Sequence, residues 1–283
     1  MRTMQLARLA LLADLHLHAR GGEDAGETGA RYARHLEKVT REMAAEHVDA
    51  ILVAGDLTQH GEVAEYEEWQ RWRERWEHLA AGAGIPVFCV PGNHDVGEKN
   101  HVSVERVARF EREAGPSFFA VDIAGVRLIG LNSLLLGSGL PREEEQWDFL
   151  RTELGQPAAL PEPAPEIDPR PRPRIVLLHQ PPFLVHPDEE GDDYWNIDPI
   201  PRRQLLELLR PGPGQAGVSL LLAGHLHRPA RLTLGDMSCL VAPAVSFGLP
   251  RGQQPEGWGL VTIESDGSAG FQLREIRPGP EEQ

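Results

Sequence analysis

The 283-residue sequence is poor in cysteine and contains no long apolar run. Its two cysteines, Cys89 and Cys239, lie in short apolar segments, which favours buried free thiols over a disulfide framework. The apolar residues 9–13 end at Asp14, too early for the core of a secretory signal peptide, and no later run reaches membrane-span length. We therefore expect a cytoplasmic protein that does not enter a membrane.

Basic residues are also scarce. The chain has 28 Lys and Arg residues against 43 Asp and Glu residues, which gives a formal net charge of −15. An acidic surface repels polyanions, so binding to nucleic-acid polymers or to anionic membranes is not expected. The loop over residues 186–201 carries five acidic residues between positions 188 and 193, which further disfavours a nuclease.

Hydrophobic residues make up 41% of the chain, which is enough for a packed core. Helical spacing in residues 29–47 and 62–81 alternates with short apolar runs and indicates an α/β sheet. We expect the aromatic residues of the second helix to form its packing face. Five apolar runs lack polar alternation, which predicts strands buried on both faces; they are residues 9–13, 50–54, 87–90, 175–178 and 220–223.

The second half of the chain predicts additional strands. Residues 117–123 and 126–132 predict a hairpin that turns at Ala124 and Gly125. We interpret residues 157–173, with seven prolines, as a surface insertion, and the whole chain, 1–283, as one domain in which two sheets pack face to face beneath outer helices. The other expected elements are strands at 231–234, 237–241, 259–264 and 270–275 and a helix at 202–209.

Residues of the types that bind metals follow all five apolar runs. The carboxyl ends of strands meet at the functional edge of an open α/β sheet, so we expect these side chains to converge. Asp-x-His, Gly-Asp and a single His are each common by chance, whereas Gly-His-x-His is moderately specific and Gly-Asn-His-Asp strongly so. The residues are Asp14, His16, Asp56, Asn93, His94, Asp95, His179, His225 and His227.

This donor set is too large for one tetrahedral zinc site and suits two ions that share a carboxylate. Mixed imidazole and oxygen ligands favour Mn, Fe, Zn or Co over Mg or Ca. Two such ions, about 3.5–4 Å apart, activate a bridging water for in-line attack on a phosphoryl group. We therefore expect two divalent or trivalent transition-metal ions and hydrolysis of a small-molecule phosphate ester by a metal-bridging hydroxide.

The motifs D-x-H, G-D, G-N-H-D, a lone H and G-H-x-H occur in this order, and from about residue 5 to 265 the chain resembles the calcineurin-like metallophosphoesterase superfamily. The resemblance implies a four-layer αββα sandwich with two mixed β-sheets. It also implies that His94 protonates the leaving group or stabilises the transition state, and that Asp95 orients His94. The implied ligands are Asp14, His16 and His227 for one ion, Asn93, His179 and His225 for the other, and Asp56 as the bridge.

Two branches of the superfamily compete. Residues 55–66 and 224–229 resemble the cyclic-nucleotide phosphodiesterase-like branch, whereas residues 192–196 resemble single-domain phosphatases. The arginine that follows Gly-Asp in phosphoprotein phosphatases is absent, because Gln59 and His60 occupy the Asp-Arg positions. We lean to phosphodiester substrates, with phosphomonoesters as the alternative. A non-catalytic scaffold and a hydrolase of another substrate class are the remaining readings.

Three further residues are candidate substrate contacts. His60 follows the Gly-Asp motif, and Tyr194 and Trp195 lie in residues 186–201, which we interpret as a lid beside the metals. An exposed loop histidine and a packed surface loop are the alternative readings. The oligomeric state stays open between a monomer and a homodimer formed through apolar strands near the C-terminus.

Overall fold

The computed structural model describes residues 3–20, 26–79, 84–98, 101–155, 172–191, 194–210 and 217–276. Within these ranges the helices are α1 Gly26–Glu46, α2 Val63–Glu77, α3 Asn93–Val96, α4 Val104–Glu113, α5 Pro141–Gly155 and α6 Pro199–Leu209. The strands are β1 Gln5–Leu12, β2 Ala50–Ala54, β3 Val87–Val90, β4 Phe119–Ile123, β5 Val126–Gly130, β6 Arg174–Leu177, β7 Val218–Ala223, β8 Ala230–Leu234, β9 Met237–Val241, β10 Gly257–Glu264 and β11 Ala269–Glu275.

The strands form two mixed sheets. The first has the order β11-β10-β1-β2-β3, in which β1, β2 and β3 are parallel and β10 runs antiparallel to β1. The second has the order β4-β5-β6-β7-β9-β8, in which the four inner strands are parallel and the two edge strands antiparallel. Both sheets therefore direct the carboxyl ends of several parallel strands to one edge.

The apolar strands bury both of their faces, which explains why their sequences do not alternate. In β1, Leu9 and Leu11 belong to a core shared with the second sheet, while Ala10 and Leu12 belong to a core on the opposite face. Strands β2, β6 and β7 divide their side chains in the same way. One core between the sheets and one outside each sheet make four layers, so the predicted αββα sandwich is confirmed.

Helices cover the outer face of each sheet. Over the first sheet, α2 contributes the fully buried Trp69 and Trp76, and the Trp76 indole donates a hydrogen bond of 2.8 Å to Thr40 of α1. Over the second sheet, Trp147 of α5 and Leu205 of α6 pack into the outer core. The aromatic stripe of α2 is a packing face, as its spacing predicts.

The predicted hairpin is present, with Ala124 at φ 47° and Gly125 at φ 84° in its turn. Helices α4 and α5 have no counterpart in the sequence analysis, since their apolar residues are few and separated by charges. Most of the proline-rich segment, residues 157–171, lies outside the described residues, and the single-domain organisation stays a prediction. Among the described residues, no helix is both long and apolar enough to cross a membrane.

Candidate metal centre

Seven predicted metal ligands meet where the carboxyl ends of β1, β2, β3, β6 and β7 converge. One group of donor atoms lying within 4.8 Å of one another comes from Asp14, His16, Asp56 and His227, and a second from Asp56, His179 and His225. Asn93 joins the second group, because its Oδ1 lies 3.0 Å from His179 Nε2. All seven side chains are buried, and Asp56 belongs to both groups.

The backbone at this edge is left-handed at non-glycine residues. Five of the seven ligands have positive φ angles, a conformation that is uncommon for residues with a Cβ atom and occurs mainly where surrounding structure enforces it. Here the enforcement comes from backbone hydrogen bonds between the loops after β1 and β2, such as His16 N to Asp56 O at 3.0 Å. The five residues are Asp14, His16, Asp56, His225 and His227, with φ between 48° and 70°.

One ring nitrogen of each ligand histidine donates to an oxygen atom outside the cluster. His179 Nδ1 donates to Ala54 O and His227 Nδ1 to Phe247 O, both at 2.7 Å. His225 instead uses Nε2, which donates to Tyr194 O at 2.7 Å. The His16 ring is held by the Gln59 side chain, with 3.0 Å between Nδ1 and Oε1. Carbonyl oxygens only accept hydrogen bonds, so these contacts fix the tautomer of each ring.

The remaining ring nitrogens are unprotonated and face one another. The Nε2 atoms of His16 and His227 are 3.2 Å apart, and His179 Nε2 lies 3.1 Å from His225 Nδ1. Two lone pairs at this distance repel each other unless a cation lies between them. Neutral imidazole nitrogens beside carboxylate and amide oxygens are the ligands that transition metals prefer. The donor set therefore fits two metal ions.

Asp56 lies between the two groups. Its Oδ2 is 3.6 Å from His16 Nε2 and 3.5 Å from His179 Nε2. Burial alone would raise the pKa of Asp56, but the nearby histidines, His179 first, hold that pKa well below its usual range. Burial and the charge of Asp56 raise the pKa of Asp14 well above its ordinary value. The bridging position is therefore the one in which a carboxylate stays ionised.

Burial also keeps the histidines in their ligating form. It lowers the pKa of His225 to about 3 and that of His227 to about 4. The pKa values of His16 and His179 are lowered for the same reason, although the charge of Asp56 works in the opposite direction. At neutral pH, proton competition for these four rings is consequently weak.

His94 is held by groups that the sequence did not indicate. Its Nδ1 donates to the backbone carbonyl of Gln59 at 2.7 Å, and its backbone N–H donates to Asp56 Oδ1 at 2.9 Å. The ring lies edge-on to His16, with 4.5 Å between ring centroids. His94 Nε2 is therefore the ring nitrogen left to meet a substrate.

Asp95 makes different contacts from those expected. We expected it to orient the His94 ring, but its carboxylate accepts hydrogen bonds from the backbone N–H groups of Leu57, Thr58 and Gly92 and from the Thr58 hydroxyl, at 2.8–3.1 Å. The side chain points back toward the start of α3 because helical side chains tilt toward the N-terminus. Asp95 thus joins the loops after β2 and β3, and burial followed by the charge of Asp56 raises its pKa to about 6.

Gly92 is required by the close approach of these two loops. A Cβ atom at this position would lie 2.1 Å from Asp56 Oδ1 and 2.3 Å from Asp56 N. Real Cβ atoms do not approach other atoms so closely, and both neighbours belong to the shared ligand. The glycine of the Gly-Asn-His-Asp motif therefore makes room for Asp56.

The candidate substrate contacts lie on two sides of the centre. His60 is half-exposed, and Glu65 holds it through both the ring Nδ1 at 2.9 Å and the backbone N–H at 2.8 Å. The Tyr194 ring lies 5.0 Å from the His225 ring, and its side chain is hydrogen-bonded to Asn93. The Trp195 ring lies 5.5 Å from the His225 ring. Glu65 was not predicted, because a glutamate near the start of a helix is ordinarily only a cap.

Residues 186–201, which we interpret as a lid, are described except at 192 and 193; residues 199–201 already belong to α6, and the rest of the described part forms a loop. The Glu189 carboxylate accepts hydrogen bonds from the backbone N–H groups of Leu184, Val185 and His186, at 2.6–3.0 Å. The side chain of Asn196 donates to the same carboxylate at 2.6 Å. These contacts tie the two ends of the loop together around one carboxylate.

An αββα sandwich whose strand ends carry two linked groups of histidine and carboxylate donors is typical of metal-dependent phosphoesterases. The model of one such family, described as calcineurin-like phosphoesterase, matches residues 7–229, and the chain belongs to this family.

Two curated relatives and one solved structure illustrate the similarity. The human serine/threonine-protein phosphatase CPPED1 is 28% identical over 206 residues, which are 69% of this chain and 60% of that protein. The 3',5'-cyclic adenosine monophosphate phosphodiesterase CpdA of Pseudomonas aeruginosa is 28% identical over 278 residues, 96% of this chain and 82% of that protein. The chain thus spans less than two thirds of the human relative. A dimetal phosphatase from Danio rerio shares the fold, with a TM-score of 0.56, 13% identity and coverage of 95% and 99% of the two chains.

Proposed function

We propose that the protein hydrolyses phosphate esters with two transition-metal ions, from among Mn, Fe, Zn and Co. The observation that carries this proposal is the pair of facing imidazole lone pairs on either side of Asp56. When bound, two ions in such a site neutralise charge on a phosphoryl group and make water a stronger nucleophile at neutral pH.

The residues divide into ligands and one proton donor. Asp14, His16 and His227 would hold one ion, Asn93, His179 and His225 the other, and Asp56 both. The Asn93 side chain is neutral, so the seven ligands supply only two negative charges against at least four positive ones, and the excess attracts an anionic phosphate to an acidic protein. His94 would protonate the leaving oxygen through Nε2, because its Nδ1 proton is held by the Gln59 carbonyl.

A phosphodiester is the favoured substrate. The relative that this chain matches over almost its whole length is a cyclic AMP phosphodiesterase. A phosphomonoester is the second candidate, favoured by the human phosphatase relative. In either case Tyr194 and Trp195 would form a wall beside the second ion, and the substrate would be a small molecule because an acidic surface disfavours long polyanions.

The test compares p-nitrophenyl phosphate with bis-p-nitrophenyl phosphate on one preparation reconstituted with Mn²⁺, with the metal-stripped protein as control. We expect metal-dependent cleavage of both, with the diester faster, and 3',5'-cyclic AMP is the next substrate to assay. Faster monoester cleavage would replace the diesterase proposal with the phosphatase one. No metal-dependent cleavage of either ester would contradict both proposals.

Variants distinguish this enzyme from a scaffold that merely keeps the fold. Asp56→Ala and Asn93→Ala should abolish turnover while circular dichroism shows that the fold persists. Asp148→Ala is a matched control, because this exposed carboxylate lies on α5, outside the ligand cluster, and pairs with the neighbouring Arg151. Unchanged activity in either ligand variant would contradict the assigned centre.

Location and assembly are separate proposals. We propose a cytoplasmic protein, in keeping with Cys89 and Cys239, which are both buried and free. Cell fractionation tests this location. Light scattering on the purified protein distinguishes a monomer from the homodimer that the strands near the C-terminus could form.

A further inference from the structure

Arg106, in the first turn of α4, joins the two loops that carry His60 and His94. Its Nη2 donates to the carbonyl oxygens of both residues, each at 2.7 Å. Its Nε lies 3.4 Å from the carbonyl oxygen of Asp95. The guanidinium thus binds the backbone after β2 and after β3 with a single planar group, a geometry that its fixed donors allow.

Two of the carbonyl groups that Arg106 binds lie at the end of the short helix α3. Helix α3 spans only Asn93–Val96, and Gly97 N–H closes it on the carbonyl of Asn93 at 2.9 Å. The carbonyls of the following residues, His94 and Asp95, point past the end of the helix, where a cation is favourable. Arg106 donates to both carbonyls and brings a positive charge to this end of the helix, and the Tyr66 hydroxyl lies 3.5 Å from the Asp95 carbonyl as a further donor.

The loop sequence accommodates the guanidinium closely. Gly61 has a φ of 73°, and a Cβ atom there would lie 2.7 Å from Arg106 Nη2 and 3.1 Å from His94 O. Any side chain at this position would push Arg106 away from the His94 carbonyl. The contact between Arg106 and the His94 carbonyl therefore depends both on the arginine and on the absence of a side chain at Gly61.

Arg106 also faces the space that a leaving group would enter. A pocket of about 340 Å³ is lined by Asn93 and His94 from the metal centre and by His60, Glu98 and Arg106 on its other walls. His94 thus belongs both to the surroundings of the metal ligands and to this pocket, which offers room for the alcohol part of an ester.

We propose that Arg106 is a positioning residue that sets His94 against the leaving oxygen of the ester. The proposal rests on the proposed function. Arg106 acts through the backbone of His94 and through the neighbouring Gln59–Gly61 loop, which holds the ring Nδ1. Its loss should weaken proton donation while leaving the metal ligands in place.

The test uses two esters that differ only in the acidity of the leaving group, methyl p-nitrophenyl phosphate and methyl phenyl phosphate, or the two monoesters if the wild type prefers them. A p-nitrophenolate leaves without help, whereas a phenolate needs a proton. In Arg106→Met we expect kcat for the phenyl ester to fall at least about 10-fold further than kcat for the p-nitrophenyl ester, given that general acids contribute about 10²- to 10⁴-fold.

Matched variants separate positioning from folding. Arg112→Met is the control, because Arg112, two turns later on α4, is exposed and pairs with the neighbouring Glu113 carboxylate at 2.8 Å; both esters should keep their wild-type ratio. Arg106→Lys keeps a cation and should recover part of the phenyl-ester rate, which tests the proposal even if the methionine variant misfolds. In the metal-free protein, the Nδ1 proton of His94 should exchange faster with water in Arg106→Met only.

Several results would overturn the proposal. An equal loss on both esters, an unchanged ratio or a loss of bound metal in Arg106→Met would assign Arg106 to general support of the centre. If Arg106→Lys recovers the rate equally on both esters, the recovery does not depend on the leaving group, and the same conclusion follows. If the wild type cleaves no phosphate ester, the proposed function fails and the inference fails with it. If the wild type cleaves the esters and Arg106→Met keeps the wild-type ratio of the two rates, only the inference is contradicted.

Discussion

The Nε2 atoms of His16 and His227 face each other at 3.2 Å, and the neutral tautomers that their Nδ1 contacts favour leave both nitrogens without a proton. His16 Nδ1 donates a hydrogen bond to Gln59 Oε1, and His227 Nδ1 donates one to the Phe247 carbonyl oxygen. The Nε2 lone pairs of both rings therefore point into the centre. The two lone pairs are thus directed at a common position, where without a cation they would repel each other. The behaviour of the site without metal and its response to metal are therefore the most informative measurements.

Four oxygen atoms orient the ligand histidines. One belongs to the side chain of Gln59, and the other three are backbone carbonyl oxygens. Gln59→Ala should therefore lower metal affinity about 10- to 100-fold, the usual effect of losing such a partner. Competition with a chelator measures this affinity. Gln70→Ala is the control, because Gln70 is exposed and its side chain contacts Glu113 at the surface. Equal affinities in the two variants would contradict the role of Gln59.

Metal binding should stabilise the fold, because the ligands come from both sheets. Asp14 and Asp56 follow strands of the first sheet, and His179 and His225 follow strands of the second. At a free-ion concentration 100 times Kd, the gain in the free energy of unfolding is about 2.7 kcal/mol for one site. Thermal unfolding with and without chelator measures it. A melting temperature that does not respond to metal, or an equal response in Asp56→Ala, would speak against this site.

The metal-free protein should become more stable as the pH rises from about 4 to 6.5. Unfolding returns His225 and His227 from pKa values of about 3 and 4 to 6.5, so the unfolded chain binds more protons in this window and acid destabilises the fold. Asp95 has the opposite effect on stability, because its pKa of about 6 in the folded protein exceeds the unfolded value of 3.8. Asp14, whose pKa is also raised by folding, acts in the same direction as Asp95. The four lowered histidines outnumber the two raised carboxyls.

Thermal unfolding of the chelator-treated protein between pH 4.5 and 7 measures this dependence. The rise should flatten when two of the ligand histidines are replaced by alanine. It should persist in His78→Ala, whose ring lies outside the cluster and contacts the Glu74 carbonyl. A stability that falls with pH across this window would show that the buried carboxyls dominate.

Gly92→Ala should remove metal binding, because the added Cβ would meet Asp56 Oδ1 at 2.1 Å and displace the shared ligand. Gly155→Ala is the matched control, because no atom of the described residues lies within 4 Å of its Cβ position at the end of α5. We expect the control to bind metal normally and to unfold at the same temperature or slightly above. Metal titration of both variants tests this prediction. Normal metal binding by Gly92→Ala would contradict the tight packing of Gly92 against Asp56.

The sequence predicts most of the fold and the membership of the metal cluster, because both depend on local patterns. Strands buried on two faces produce continuous apolar runs, and their carboxyl ends must meet. Helices α4 and α5 escape this reasoning, since charged residues dominate them and their packing is set by tertiary contacts. The hydrogen bonds that hold the side chains around the metal centre cannot be predicted from local patterns either.

His94 shows why those hydrogen bonds are hidden. Its neighbour Asp95 is the obvious partner by sequence, yet the short helix α3 turns that carboxylate toward Gly92 and Thr58. The actual partner is a backbone carbonyl, which every residue has and no motif can mark. Arg106 is likewise invisible in the sequence, because an arginine in an exposed-looking helix has no signal of its own.

Strand β1 has consequences for how the protein is made. It leads to Asp14 and His16, and it pairs with β2 on one side and with β10, Gly257–Glu264, on the other. On a translating ribosome β1 therefore keeps an unpaired edge until residues 257–264 have been synthesised, and the donors His225 and His227 emerge shortly before these residues do. The full set of seven donors therefore exists only after residue 227 has been synthesised, so we expect metal ions to be bound late in synthesis or after it.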